Sequence, residues 1–156
     1  MPITPEFVID FQRLKESISN KTRAIVINSP HNPTGAVLSL DDIQQLARII
    51  ESKNIYIVAD EVYEHMTYDG RSHESLCRNE MLKQKTFVIS SFGKTYHATG
   101  WKVGYCLAPA ALTFEFRKIH QFVTFTTHTP SQWAIADFLE NHPEHHQELP
   151  SFYERK

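Results

Sequence analysis

Cysteine is scarce in this sequence, and so are long apolar runs and any excess of one charge sign. The 156 residues include two cysteines, Cys77 and Cys106, which argues against a disulfide framework and predicts two free thiols in a reducing cytosol. No apolar run is long enough to cross a bilayer. The basic residues are scattered and the formal net charge is -2, so neither a nucleic-acid surface nor a membrane surface is indicated.

The start of the sequence also lacks a targeting signal. Residues 1–5, Met-Pro-Ile-Thr-Pro, have neither the charged region nor the apolar stretch of a signal peptide. We therefore expect a cytoplasmic protein. The length suffices for one domain with a core of its own.

Histidine is abundant, with nine residues, but its spacing does not predict a metal site. His142, His145 and His146 lie among acidic and amide side chains, with Pro143 at the expected first turn of a helix, which indicates the solvent-exposed face of that helix. No Cys/His spacing elsewhere supports a closed zinc site. A nucleotide-binding α/β domain is disfavoured as well, because no Gly-x-Gly-x-x-Gly or P-loop run follows any predicted strand.

Strands and helices alternate along the chain. Short apolar runs predict strands at 24–27, 55–59, 86–90 and 103–108, and the first of them is typical of a strand buried on both faces. Helical spacing predicts helices over 10–19, from a capping box at 39–42 onward, around 112–123, around 134–139 and over 144–155, the last with a disturbance at Pro150. A turn is expected at Asp69-Gly70. The pattern predicts an α/β fold with a mainly parallel sheet flanked by helices.

Polar side chains follow the predicted strands, at the edge where such sheets bind ligands. They are Asn32, Asp60, Tyr63, Ser91 and Lys94. Taken singly, each has a structural interpretation as a turn residue, helix cap, core aromatic or surface lysine. Taken together, they can converge as an amide, a carboxylate, a phenol, a hydroxyl and an amine around one ligand.

Glycine is rare, and four of the five glycines lie near these side chains. They are Gly35, Gly93, Gly100 and Gly104. We expect them to permit a close approach of the backbone to a ligand.

Four segments carry a resemblance to a known family. They are Asn32-Pro33-Thr34-Gly35, Asp60-Glu61-Val62-Tyr63, Ser91-Phe92-Gly93-Lys94-Thr95-Tyr96 and Thr99-Gly100-Trp101-Lys102-Val103-Gly104. In order and spacing they resemble the class I and II aminotransferases, which depend on pyridoxal 5'-phosphate (PLP) and have PLP fold type I. The segment 91–104, with His120-Gln121 and Phe125, is most similar to the methionine and kynurenine/glutamine aminotransferase group.

The resemblance implies a transferase of amino acid metabolism that passes the amino group of an L-amino acid, of the methionine, glutamine or aromatic type, to a 2-oxo acid. Lys94 would hold PLP as a Schiff base and then move the substrate proton as general base and acid. Asp60 would pair with the pyridine nitrogen, and Asn32 and Tyr63 would donate hydrogen bonds to the phenolic oxygen. Lys94, Asp60 and Tyr63 would thus be the catalytic residues.

The resemblance also assigns the phosphate end of the cofactor. Ser91 and Lys102 would hold the phosphate, with Lys102 standing where many relatives have arginine. A cis peptide bond is expected between Asn32 and Pro33. Trp101 would pack beneath the loop rather than contact substrate. Phe125 would either line a substrate pocket, its own or that of a partner subunit, or be a core aromatic at a helix end.

Residues 1–156 would form the central part of the family's PLP-binding large domain, without its N-terminal segment and its C-terminal small domain. The full-length protein would be a homodimer. We expect this chain alone to be poorly soluble or dependent on a partner, because exposed sheet edges promote association, and to lack turnover. The alternatives are a PLP-dependent carbon–sulfur β-lyase and an inactive fragment that retains only the fold.

Overall fold

The computed structural model describes residues 3–156. Four strands form its sheet: β1 (Ala24–Asn28), β2 (Tyr56–Asp60), β3 (Thr86–Ser91) and β4 (Gly104–Leu107). The helices are α1 (Phe11–Ser17), α2 (Leu40–Ile50), α3 (Glu80–Lys83), α4 (Phe92–Thr95), α5 (Ala110–Val123), α6 (Thr129–Asn141) and α7 (His145–Glu154). Two short 3-10 turns cover Leu76–Arg78 and Thr99–Trp101. Within 3–156, no helix combines the length and the apolar character needed to cross a bilayer.

The sheet has the strand order β1-β2-β3-β4. The first three strands are parallel, and β4 runs antiparallel to β3. The prediction of an α/β fold with a mainly parallel sheet is confirmed. Asn28 pairs with Asp60, and Asp60 with Ile89, so the carboxyl ends of the parallel strands meet at one edge of the sheet.

The core lies on one face of the sheet, under α1 and α2. Its strand residues include Ile25, Ile27, Ile57, Ala59 and Val88, and its helix residues include Leu14, Ile43, Leu46 and Ile50. On the opposite face Val26 is 66% exposed. The prediction that β1 is buried on both faces is therefore wrong for this chain, because successive side chains of a strand alternate between faces and α1 and α2 pack on one of them.

Local sequence signals at turns and caps are confirmed. Ser39 caps α2 through a reciprocal pair: its Oγ accepts from Asp42 N–H, and the Asp42 carboxylate accepts from Ser39 N–H. Asp69 and Gly70 both have positive φ, and Arg71 N–H donates to Tyr68 O at 3.0 Å. This is the pattern of a tight hairpin-type turn.

Two helix predictions needed adjustment at their ends or interior. Helix α1 begins after the cap Asp10, as expected, but ends at Ser17, two positions before the predicted end. Helix α7 begins at His145 and continues through Pro150 to Glu154. An interior proline lacks an N–H donor and crowds the preceding turn, but the helix remains continuous through Pro150, so the predicted disturbance does not end it.

Candidate active site

Three of the predicted side chains lie together beyond the ends of the parallel strands. Asn32 Nδ2 donates to the Tyr63 hydroxyl at 3.0 Å. The Lys94 ammonium nitrogen Nζ lies 5.6 Å from the centroid of the Tyr63 ring. Lys94 and Tyr63 are half-buried, whereas Asn32 is exposed. An amide, a phenol and an amine from three separate segments thus form one cluster.

Asp60 and Ser91 end neighbouring strands on the face of the sheet opposite the core. The burial pattern of β2 alternates so that Asp60 shares a face with Tyr56 and Val58, and the pattern of β3 places Ser91 with Phe87 and Ile89. The Asp60 carboxylate accepts one hydrogen bond from residues 3–156, from Val62 N–H to Oδ1 at 3.2 Å. Its second oxygen therefore remains available to a donor.

Ser91 and Lys102 lie at the ends of the connection between β3 and β4. Ser91 Oγ accepts from Gly93 N–H at 2.9 Å and donates to Val103 O at 3.3 Å. Phe92 N–H also donates to Val103 O. Lys102 directly precedes Val103, is exposed and has a φ of 57°. Ser91 and the Lys102 backbone are therefore neighbours.

Asn28 is a site residue that the sequence interpretation missed. Its Nδ2 donates to the backbone oxygen of Asp60 at 2.9 Å, and its Oδ1 accepts from Asn32 N–H at 3.0 Å. Asn28 thus joins the end of β2 to the turn that carries Asn32. A polar residue at the end of an apolar strand, just before Pro30, was the signal that could have indicated it.

The turn between β1 and α2 contains two cis peptide bonds. The bond Asn32–Pro33 is cis, as predicted. The bond Ser29–Pro30 is also cis, and no prediction had been made for it.

Two of the clustered glycines face protein atoms rather than open space. A Cβ at Gly104 would lie 2.7 Å from the backbone oxygen of Ser90, and one at Gly93 would lie 3.0 Å from Thr99 Cα. The expectation that these two glycines admit a ligand is wrong, because the chain itself fills the space. They let the segment that carries Lys94 pack closely against β3 and the turn at 99–101.

Glu64 fixes the turn after Tyr63 to the last two strands. Its Oε1 accepts from Ser90 Oγ and from the Tyr105 hydroxyl, each at 2.7 Å. Burial raises the pKa of Tyr105 to about 12. Burial, with the charge of Glu64 as a second cause, also raises the pKa of Tyr96. Both phenols are therefore protonated and can donate hydrogen bonds at neutral pH.

Glu61, between Asp60 and Tyr63, is 3% exposed. Its Oε1 accepts from Ser75 Oγ at 3.1 Å and from Leu76 N–H at 3.2 Å, and its Oε2 lies 2.8 Å from His73 Nε2. A buried carboxylate is tolerated only when its oxygens have such partners. This network ties the site edge of β2 to residues 73–76.

The three neighbouring histidines near the C-terminus are not all exposed. His142, which caps the end of α6, is exposed, but His145 and His146 of α7 are half-buried. His145 stacks on Tyr96 with 5.6 Å between ring centroids, and His146 lies 4.8 Å from the His65 ring. The prediction is wrong for these two because α7 packs against His65 and Tyr96 through these histidines, and its Leu149 is only 2% exposed. Within 3–156, no group of three or more His, Cys, Asp or Glu side chains is arranged to hold a metal ion.

Phe125 follows α5 and is 79% exposed, so its interpretation as a core aromatic is wrong for this chain. Trp101 is 48% exposed. It borders a small cavity together with Ile135 and Phe138 of α6, and packing beneath the loop stays a prediction.

Residues 1–155 match the model of the family described as aminotransferase class I and II. A methionine aminotransferase from Escherichia coli (strain K12) is 44% identical over 152 residues, which cover 97% of this chain and 39% of that protein. A kynurenine–oxoglutarate transaminase from Dictyostelium discoideum is 37% identical over 152 residues, covering 95% of this chain and 35% of that protein.

The fold agrees with a solved structure of the same kind. The crystal structure of an Escherichia coli protein with a methionine aminotransferase function matches with a TM-score of 0.95 and 43% identity, over 99% of this chain and 41% of that chain. The prediction of PLP fold type I is confirmed. The chain spans about two fifths of the length of the relatives that it matches.

Proposed function

Because this chain belongs to the class I and II aminotransferase family, whose members depend on PLP, we propose that it forms the cofactor-holding part of an aminotransferase. The observation that carries the proposal is the cluster of Lys94, Tyr63 and Asn32, beside the strand ends that present Asp60 and Ser91.

The donor set of this site fits PLP group by group. PLP has an aldehyde, a pyridine nitrogen, a phenolic oxygen and a phosphate. The half-buried amine of Lys94 suits the aldehyde, and the free oxygen of Asp60 suits the protonated ring nitrogen. The Tyr63 hydroxyl and the Asn32 amide already contact each other and suit the phenolic oxygen. When bound, PLP supplies an electron sink for the carbanion formed at the substrate α-carbon.

Lys94 would act twice through Nζ. It would attach the cofactor covalently, and after an amino acid has displaced it, its free amine would take the proton from the substrate α-carbon. Lys94 is the third residue of α4, which begins directly after Ser91. This position keeps the amine beside the Tyr63 ring.

Asp60 would keep a proton on the ring nitrogen by pairing its carboxylate with the N–H. A fixed negative charge at this position stabilises positive charge on the ring, which favours the electron flow out of the substrate. Asn28 would assist indirectly, because its side chain bonds the Asp60 backbone and holds the Asn32 turn.

Ser91 and Lys102 would hold the phosphate. The Ser91 hydroxyl lies at the start of α4, and the Lys102 backbone lies next to it through Val103. A lysine supplies charge to a phosphate, although without the two-pronged geometry of arginine. The exposure of Lys102 leaves its ammonium group free to reach an anion.

For the whole protein we propose an L-amino acid of the methionine, glutamine or aromatic type as amino donor and a 2-oxo acid as acceptor. The methionine and kynurenine names of two relatives support this choice.

We also propose a cytoplasmic homodimer. Phe122, Val123 and Phe125 are strongly exposed at the end of α5, as expected of an interface, and sedimentation of the full-length protein would measure its oligomeric state.

The cofactor proposal is tested by the absorption spectrum of the purified chain with PLP, followed by borohydride reduction and peptide mapping. We expect a protein-bound spectrum and a label on Lys94. Lys94→Ala should give the spectrum of free PLP, whereas Lys118→Ala on α5 should behave as wild type. Spectra of free cofactor for both wild type and Lys94→Ala would contradict the proposal.

Product analysis of the full-length protein separates transamination from β-elimination. Methionine, glutamine and phenylalanine should each yield the matching 2-oxo acid together with an aminated cofactor. Release of pyruvate and ammonia from a cysteine conjugate, without amino transfer, would favour the carbon–sulfur β-lyase.

A further inference from the structure

We propose that His145 is a positioning residue for Lys94. It would hold the backbone of the turn that presents the amine, although it lies on another helix and does not itself touch the reacting atoms. The inference rests on the proposed function for the role of Lys94, but the contact it describes can be tested separately.

The contact is a hydrogen bond to the carbonyl of Thr95, the residue after Lys94. His145 Nε2 lies 3.1 Å from Thr95 O. A carbonyl oxygen can only accept, so Nε2 carries the hydrogen. The imidazole also stacks on Tyr96 at an interplanar angle of 26° and meets the Phe138 ring edge-on at 5.3 Å. Packing on these two rings fixes the direction of the donor.

The carbonyl of Gly93, the residue before Lys94, also accepts a hydrogen bond from a side chain. Thr99 Oγ1 donates to Gly93 O at 2.9 Å. The carbonyls of both neighbours of Lys94 are thus bound by side chains from outside α4. Helix α4 has four residues, too few to be stable by itself, so its geometry depends on such outside donors.

Helix α7 is itself anchored to the segment after β2. Leu149 is buried, His146 lies against His65, and Glu154 Oε1 accepts from Asp69 N–H at 3.1 Å. His145 therefore links the Lys94 turn to the same segment that carries Tyr63. Helix α7 thus adds a connection between the amine and phenol segments to those made by the pairing of β2 with β3 and by the hydrogen bond of Ser90 to Glu64.

Hydrogen–deuterium exchange of the chain without cofactor tests the contact directly. In His145→Phe, which keeps an aromatic ring but removes the donor, amides of residues 93–97 should exchange about tenfold faster, the factor for about 1.4 kcal/mol. His145→Gln keeps an N–H donor and should stay within about twofold of wild type. Gln147→Phe, at an exposed position of the same helix, is the matched control and should leave this segment unchanged.

Unchanged exchange of 93–97 in His145→Phe would overturn the inference. If that variant does not fold, His145→Glu replaces it: it matches His145→Gln in shape but cannot donate, so equal exchange in the two would overturn the inference as well. Exchange detects no cofactor chemistry, so failure of wild type to label Lys94 with PLP would refute the proposed function alone.

The positioning role is read from the rate at which Lys94 takes up PLP, followed by absorbance. His145→Phe should slow this rate several-fold and His145→Gln should restore it, with the final spectrum unchanged in both. Equal rates in wild type and His145→Phe, together with faster exchange, would show that the contact orders the turn without placing the amine, and would also overturn the proposal.

Discussion

Replacing Glu61 by alanine should destabilise this chain more than any surface change. The carboxylate is buried, accepts hydrogen bonds from Ser75 Oγ and Leu76 N–H, and contacts the His73 ring. Alanine removes all three contacts at once. Water could take the place of the carboxylate only if the loop at 73–76 opened. The edge of β2 that carries Asp60 would lose its attachment to that loop.

The cost can be worked out from the groups left behind. Leu76 N–H is a buried donor, and an unsatisfied buried donor costs about 1–3 kcal/mol. Alanine leaves both the Leu76 N–H and the Ser75 hydroxyl without their acceptor, so at this cost for each donor we expect the Glu61→Ala variant to lose about 2–6 kcal/mol. Glu61→Gln retains an oxygen that can accept from Ser75 and Leu76, and should lose only about 1–2 kcal/mol.

Urea unfolding followed by circular dichroism measures these differences as shifts in the midpoint at constant slope. Glu115→Ala is the control, since Glu115 forms an exposed ion pair with Lys118 and such pairs contribute at most about 1 kcal/mol. A Glu61→Ala variant as stable as the Glu115→Ala control would refute the reasoning about the buried network.

Two further predictions concern packing and pH. Gly104→Ala would place its Cβ 2.7 Å from Ser90 O, so thermal melting should show a loss of about 1–3 kcal/mol, and an unchanged midpoint would contradict the contact. Burial, as the largest cause, lowers the pKa of His65 below its usual 6.5. The unfolded chain therefore binds more protons than the folded one just below pH 6.5, and stability should fall as the pH drops through that range. His65→Gln should reduce this loss, and an identical pH profile in wild type and variant would exclude His65 as its source.

The strands and the helix caps were predictable because their signals are local. The apolar runs at 24–27 and 86–90 end within one residue of the observed strands, and the Ser39–Asp42 pair forms as its spacing indicates. The exposure of Val26 was not predictable from the same run. An apolar run indicates that the strand is suited to burial, but it does not show which segment packs on each of its faces.

In the candidate site, too, some residues were predictable from the sequence and others were not. Asn32, Tyr63 and Lys94 were predicted together from the resemblance, and the structure brings them together. The contacts of Asn28 with Asp60 and of His145 with Thr95 join residues far apart in the chain. No periodicity encodes such pairs, because they depend on how separate elements pack.

The antiparallel pairing of β3 with β4 places the segment that carries Lys94 in a hairpin, whereas the rest of the site follows parallel strands. Ser91 pairs with Gly104, so residues 92–103 form a hairpin loop closed at its base by the sheet. Lys94 lies inside this loop, and Ser91 and Lys102, which we propose to hold the phosphate, lie at its ends. A shift of this hairpin would move these three side chains together as one body. Asp60 ends a strand that has a parallel neighbour on each side, and Tyr63 follows that strand. Evolution or an engineer could therefore change these two residues, which we propose to contact the cofactor ring, while leaving the hairpin intact.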